Sequence, residues 1–126
     1  MDRDLLKKVR VLPENFGPLR GADGNVRMTG PCGDTMEFWI SVVDGRLRRV
    51  MYTTDGCGHS ALCGSIAASL AEDRTLDDAL RLKQQDVLDR AGDLPEENRH
   101  CALLAVTVLQ ATIDDYRYHQ AAKRRD

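Results

Sequence analysis

The chain is 126 residues long, 42% hydrophobic and 30% charged, with a formal net charge of −2. That length allows one modest core in one domain, and the acidic balance gives no electrostatic case for binding nucleic acid. The opening residues Met1 to Lys8 contain no apolar leader core, and no apolar run reaches membrane-spanning length. A soluble, cytoplasmic protein is therefore expected, and in that reducing compartment its four cysteines point to metal binding or catalysis rather than disulfides.

In chain order, residues 2–10 suit a short helix with Leu5, Leu6 and Val9 on its apolar side, ended by Pro13. Pro13 to Pro18 reads as irregular chain. Asp23-Gly24 is a turn, and Asn25 to Thr29 alternates around Val26 and Met28 as a short strand. Gly30-Pro31-Cys32-Gly33-Asp34 follows as a tight loop, with a cysteine between glycine-containing flanks and a carboxylate two residues on.

Met36 to Val43 and Arg46 to Thr54 read as two strands joined at Asp44-Gly45. A two-residue loop would set Arg49 opposite Ile40 on the face that carries Met36, Phe38 and Val42. A three-residue loop, with Gly45 left-handed, aligns that face with Val50, Tyr52 and Thr54 and keeps it apolar, so this register is expected. Either register draws Cys32 and Asp34 toward the end of the second strand. The arginines at 46, 48 and 49 read as a solvated strand face, with an acidic partner as the other use of such a cluster.

Cys57 sits in Asp55-Gly56-Cys57-Gly58-His59-Ser60, between a strand and a helix. The flanking glycines permit a sharp bend, and a helix start favours thiolate over thiol. Residues 60–72 form that helix, with Leu62, Ile66 and Leu70 at four-residue spacing and small residues elsewhere. Cys63 falls among its apolar positions and reads as core; His59 reads as a helix-entry residue. Thr75 caps a helix running to about Lys83, with Asp77 and Asp78 in its first turn. Gln85 to Arg90 is a further short helix, broken at Gly92. Pro95 opens the long last helix or the turn before it. The core face of that helix is Ala102, Ala105, Val106, Leu109, Ile113 and Tyr116. His100-Cys101 lies near its start, and His119 on its polar end.

Cys32, Cys57 and Cys101 thus stand at element ends, with Asp34 and His100 beside two of them. Together the five offer thiolate, imidazole and carboxylate, a donor set for zinc or an iron–sulfur cluster. The competing reading of each cysteine is a small core residue. No Cys-x-x-Cys pair is present, which argues against a zinc ribbon or a thioredoxin-type site.

Gly30-Pro31-Cys32-Gly33-Asp34, Asp55-Gly56-Cys57-Gly58 and His100-Cys101-Ala102-Leu103-Leu104-Ala105 resemble the three cysteine motifs of the U-type iron–sulfur assembly scaffolds, the family of IscU and the NifU N-terminal domain. Thr75 to Lys83 is similar to the family's Leu-Asp-Glu-Ala-Leu region, and Asn15-Phe16-Gly17 to its early Asn-Val-Gly. The resemblance implies an α+β fold, a three-stranded antiparallel sheet with helices packed on one face and a long C-terminal helix, over residues 1–126 as one scaffold domain. It implies a non-enzymatic protein that builds a transient [2Fe–2S] cluster on Cys32, Cys57 and Cys101, with Asp34 and His100 nearby. Without a cluster, three thiolates plus imidazole or carboxylate make a tetrahedral set that is expected to hold about one zinc. A cysteine desulfurase supplies sulfur, and apo iron–sulfur proteins receive the cluster. The alternatives are a zinc-containing sulfur acceptor of the SufU type and a structural zinc domain. His100 before Cys101, and the lack of an insertion between Cys57 and Cys101, favour the scaffold branch.

The chain also departs from the family. Leu94-Pro95-Glu96-Glu97-Asn98 stands where the family has its Leu-Pro-Pro-Val-Lys chaperone-recognition segment, so handover through an Hsp70-type chaperone does not follow. The early tyrosine and histidine of many members are missing from residues 1–12. Cys63 and His59 replace small or hydroxyl residues.

Overall fold

The computed structural model of the protein describes residues 14–31, 33–56, 58–92 and 94–125, with side chains as far as residue 122. The expected helix over 2–10 lies outside the described residues.

Three strands, β1 (Gly24–Thr29), β2 (Thr35–Val43) and β3 (Arg46–Thr54), form one antiparallel sheet in the order β1-β2-β3. Period-two alternation places Met36, Phe38 and Ile40 of β2 on one face, all fully buried, beside Leu47, Val50 and Tyr52 of β3. Val26 and Met28 of β1 complete that face.

The hairpin reaches the expected pairing by a different route. Ile40 faces Val50, Phe38 faces Tyr52 and Met36 faces Thr54, but the loop has two residues, since Val43 already pairs with Arg46. Asp44 and Gly45 both have positive φ, 54° and 76°, which matches the twist of the strands. The extra residue is absorbed in β3 instead: Val42 pairs with Leu47 and Ser41 with Arg49, so Arg48 bulges. The bulge is what keeps Arg49 from facing Ile40. Arg46, Arg48 and Arg49 are all exposed, as a solvated face requires.

The outer edge of β3 is covered along its length. Residues 15–17, expected as irregular chain, make a parallel bridge there, with Tyr52 N–H donating to Asn15 O (2.9 Å) and Gly17 N–H to Tyr52 O (2.7 Å). At the other end Leu47 N–H donates to Arg74 O and Asp73 N–H to Leu47 O. Between them the Glu72 carboxylate accepts from Val50 N–H. No long row of open strand groups remains on this side to template aggregation.

Helix α1 (Gly58–Ala71) lies against β3. Its buried side is not the Leu62–Ile66–Leu70 row but the small residues Ser60, Cys63, Gly64, Ala67, Ala68 and Ala71. The reason is close approach. A Cβ on Gly64 would stand 2.5 Å from Tyr52 Cδ2, so only small residues fit beneath the helix. Leu62 is left 42% exposed, while Ile66 and Leu70 pack at the margin of the core. Cys63 is fully buried, as expected of a core residue.

Thr75 caps α2 (Leu76–Leu80), its Oγ1 accepting from Asp78 N–H. This helix stops three residues short of Lys83, because Lys83 starts the next one, with its N–H held by Asp86. Helix α3 (Gln84–Ala91) ends at Gly92, and a single 3-10 turn (Glu96–Asn98) follows Pro95. Helix α4 (Arg99–Arg125) then runs under β1 and β2 on the same face as α1, burying Ala102, Ala105, Val106, Leu109 and Ile113. The result is the expected α+β architecture with helices on one face and a long last helix. Among the described residues, no helix is long and apolar enough to cross a membrane.

Candidate metal centre

Antiparallel pairing of Met36 with Thr54 sets the start of β2 beside the end of β3. Polar groups then fasten the two loops that continue from those ends. Gly30 N–H donates to Asp34 O (2.8 Å) and Gly33 N–H to Gly30 O (3.0 Å), closing the β1–β2 connection on itself. Thr35 N–H donates to Asp55 Oδ1 (2.8 Å), Thr54 Oγ1–H to Thr35 O (2.9 Å), and Gly56 N–H to Thr54 Oγ1 (3.1 Å). Asp34 is thereby fixed next to residues 54–56 and the first turn of α1. The start of α4 arrives from below, bringing His100 and Cys101.

At this junction Asp34, His100 and Cys101 converge. One ligand atom from each lies within 4.8 Å of the others. Cys101 is fully buried; Asp34 and His100 are half-buried. Cys101 Sγ stands 3.8 Å from His100 Nε2. Zinc bonds of about 2.3 Å to sulfur and about 2.0–2.1 Å to nitrogen set tetrahedral ligands about 3.6 Å apart, so this pair is close to ligating geometry. The carboxylate adds a harder oxygen donor. The three donors fit zinc, and equally the iron of a sulfur-bridged cluster, given further thiolates.

Cys32 and Cys57, the other two expected ligands, lie outside the described residues. Of the remaining histidines, His59 is half-buried at the helix entry, and His119 is exposed, its ring nitrogen 2.8 Å from Asp115 O and beside the Asp115 carboxylate.

Two further residues shape the centre. Ser60 is fully buried, donates to Asp34 Oδ2 at 2.8 Å, and has Cys101 Sγ at 3.3 Å. Gly56 makes room for that contact. A Cβ there would lie 2.6 Å from Ser60 Oγ and 2.9 Å from Asp34 Cγ. Sequence reading gave Ser60 no role and gave Gly56 only backbone freedom. The available signal for Ser60 was its hydroxyl in the first turn of a helix that otherwise buries apolar or unsubstituted positions.

The description "NifU-like N terminal domain" matches this chain over residues 7–123. The chain is 34% identical over 105 residues to iron-sulfur cluster assembly scaffold protein IscU 1 of Archaeoglobus fulgidus, covering 82% of this chain and 69% of that protein. It is 33% identical over 116 residues to the scaffold protein IscU of Escherichia coli, covering 88% and 90%. The crystal structure of a nitrogen-fixing NifU-like protein (N-terminal) from Brucella abortus superposes with a TM-score of 0.66 at 19% identity, covering 93% of this chain and 94% of that one, a likeness of fold. By the extent of the domain match and the identity to its relatives, the chain belongs to the NifU-like N-terminal domain family.

Proposed function

We propose that this protein is an iron–sulfur cluster assembly scaffold, acting through residues 1–126 as one domain in the cytoplasm. It receives sulfur and iron, holds a [2Fe–2S] cluster briefly and passes it to apo-proteins. The observation that carries this reading is the convergence of Asp34, His100 and Cys101 at the sheet's end, in a chain whose relatives are named as scaffolds.

In this reading Cys32, Cys57 and Cys101 supply the thiolates. A desulfurase persulfide gives its outer sulfur to one of them, the desulfurase thiolate being the leaving group. Reducing two such sulfurs to sulfide takes four electrons; two ferrous irons, becoming ferric, supply two of them and an external reductant the other two. The protein contributes soft donors at a half-open site and turns over no substrate of its own. Without iron and sulfur the same donors hold about one zinc ion.

Asp34 is the weak point of the set. Carboxylate oxygen is harder than thiolate and a poorer match for iron in a sulfide-bridged cluster, so it favours release. Asp34→Ala is expected to assemble a cluster but to hold it longer and transfer it more slowly. Decay of the visible absorption, with and without an apo-ferredoxin acceptor, is the test. Loss and transfer as fast as in the parent protein would remove Asp34 from this role.

A further inference from the structure

We propose that Ser60 is a positioning residue of the metal centre, holding the Asp34 carboxylate against Cys101 so that it presents one oxygen to a metal rather than two. The inference rests on reading Asp34 and Cys101 as ligands. Its basis is a single buried atom. Ser60 Oγ, in the first turn of α1, donates to Asp34 Oδ2 at 2.8 Å and touches Cys101 Sγ at 3.3 Å. It therefore links a residue at the start of β2 to one at the start of α4.

A hydroxyl fully removed from water has to find polar partners, and here both named partners are donor residues of the same site. The arrangement is closely packed. The absent side chain of Gly56 leaves the space in which the hydroxyl and the carboxylate meet. Because Oδ2 is engaged by a strong charge-assisted hydrogen bond, two-oxygen binding by Asp34 would require breaking it. One-oxygen binding suits four-coordinate zinc or a cluster iron. Calcium, with six to eight oxygen ligands and a taste for bidentate carboxylates, is disfavoured. Ser60 thus contributes to which metal the site accepts as well as to where Asp34 sits.

Removing a partner that orients a metal ligand typically costs about 10- to 100-fold in metal affinity. The test compares the parent protein, Ser60→Ala, Asp34→Ala and the double variant, by zinc competition against a chromophoric chelator and by cobalt(II) absorption. Ser60→Ala is expected to weaken zinc about tenfold or more and to shift the cobalt bands to those of Asp34→Ala. The double variant is expected to bind no more weakly than Asp34→Ala, within about twofold, because both changes remove the same contact. Additive losses, a Ser60→Ala cobalt spectrum like the parent's, or a Cys101→Ala variant that binds zinc as tightly as the parent would overturn the proposal. Far-UV circular dichroism establishes folding. Should Ser60→Ala not fold, Gly56→Ala separates the same two groups with the hydroxyl still present, and it is expected to give the same cobalt shift. If the cycle holds while iron and sulfide give no cluster, the scaffold reading falls and the role of Ser60 stands.

Discussion

Alanine at position 56 places a methyl group where the metal centre has no space for one. Its Cβ would stand 2.6 Å from Ser60 Oγ, 2.8 Å from Ser60 Cβ and 2.9 Å from Asp34 Cγ. Carbon atoms pack at about 3.5–4.0 Å, so Asp34 Cγ or the helix must retreat by about 0.6 Å or more. Ser60 is fully buried and anchored in α1, so residue 56 is the one that backs away from it, and the half-buried Asp34 at its loop end is the partner displaced in turn. A hydrogen bond to a charged group is worth about 1.5–3 kcal/mol, but a displaced Asp34 regains water, leaving a loss of about 1 kcal/mol. With about 2.1 cal/mol/K of unfolding entropy per residue, 126 residues turn that into a Tm lowered by about 4 °C. Zinc affinity should suffer more, falling about tenfold as the carboxylate leaves the site. Thermal melts and chelator competition on the same preparations check both numbers. A Tm lowered by more than about 10 °C with zinc affinity intact would refute the argument that Asp34 is the yielding partner. Unchanged values of both would refute the close packing itself.

Gly64→Ala tests the approach of α1 to the sheet. Alanine ordinarily stabilises a helix interior by about 1 kcal/mol over glycine, but here its Cβ would meet the Tyr52 ring at 2.5 Å and 2.6 Å. Tyr52 is fully buried with its hydroxyl on Ala61 O, so a net loss of about 1–3 kcal/mol is expected in denaturant titrations, and a gain would contradict the packing. Tyr52 also predicts an alkaline limb. Burial raises its pKa from 10.0 to about 12, so the folded state keeps the proton longer than the unfolded chain. That contribution is whole below pH 10 and is lost as pH rises toward 12, at up to about 1.4 kcal/mol per pH unit. Tyr52→Phe lacks this loss, and its stability deficit against the parent should therefore shrink from pH 10 to pH 12; a constant deficit would rule the linkage out.

Much of this architecture was readable from residue patterns, for reasons that differ between elements. Alternation around Met36, Phe38 and Ile40 fixed the buried face of β2, and Thr75 with two aspartates marked a helix start that the structure repeats. The hairpin's pairing was legible because only one register keeps an apolar face. Its mechanism was not, since a bulge at Arg48 and a longer loop satisfy the same pattern. The face of α1 was misleading because spacing favours large residues, whereas the distance to Tyr52 selects small ones. At the metal centre, Asp34, His100 and Cys101 stood out by chemistry and by their positions at element ends, and they do lie together. Ser60 did not stand out. Its role depends on two contacts from residues 26 and 41 positions away, which no local pattern contains.

Anaerobic reconstitution decides whether the protein builds and releases a cluster. The metal-free protein is given ferrous iron, cysteine, a cysteine desulfurase and a thiol reductant, then followed by visible absorption with iron, sulfide and zinc analysis. The visible spectrum of a [2Fe–2S] cluster is expected, with about two irons and two sulfides per cluster. Transfer to apo-ferredoxin, assembly retained in Cys63→Ala and assembly lost in Cys101→Ala are expected with it. A protein that stays colourless, takes up no iron or sulfide and passes nothing to the acceptor would contradict the scaffold role.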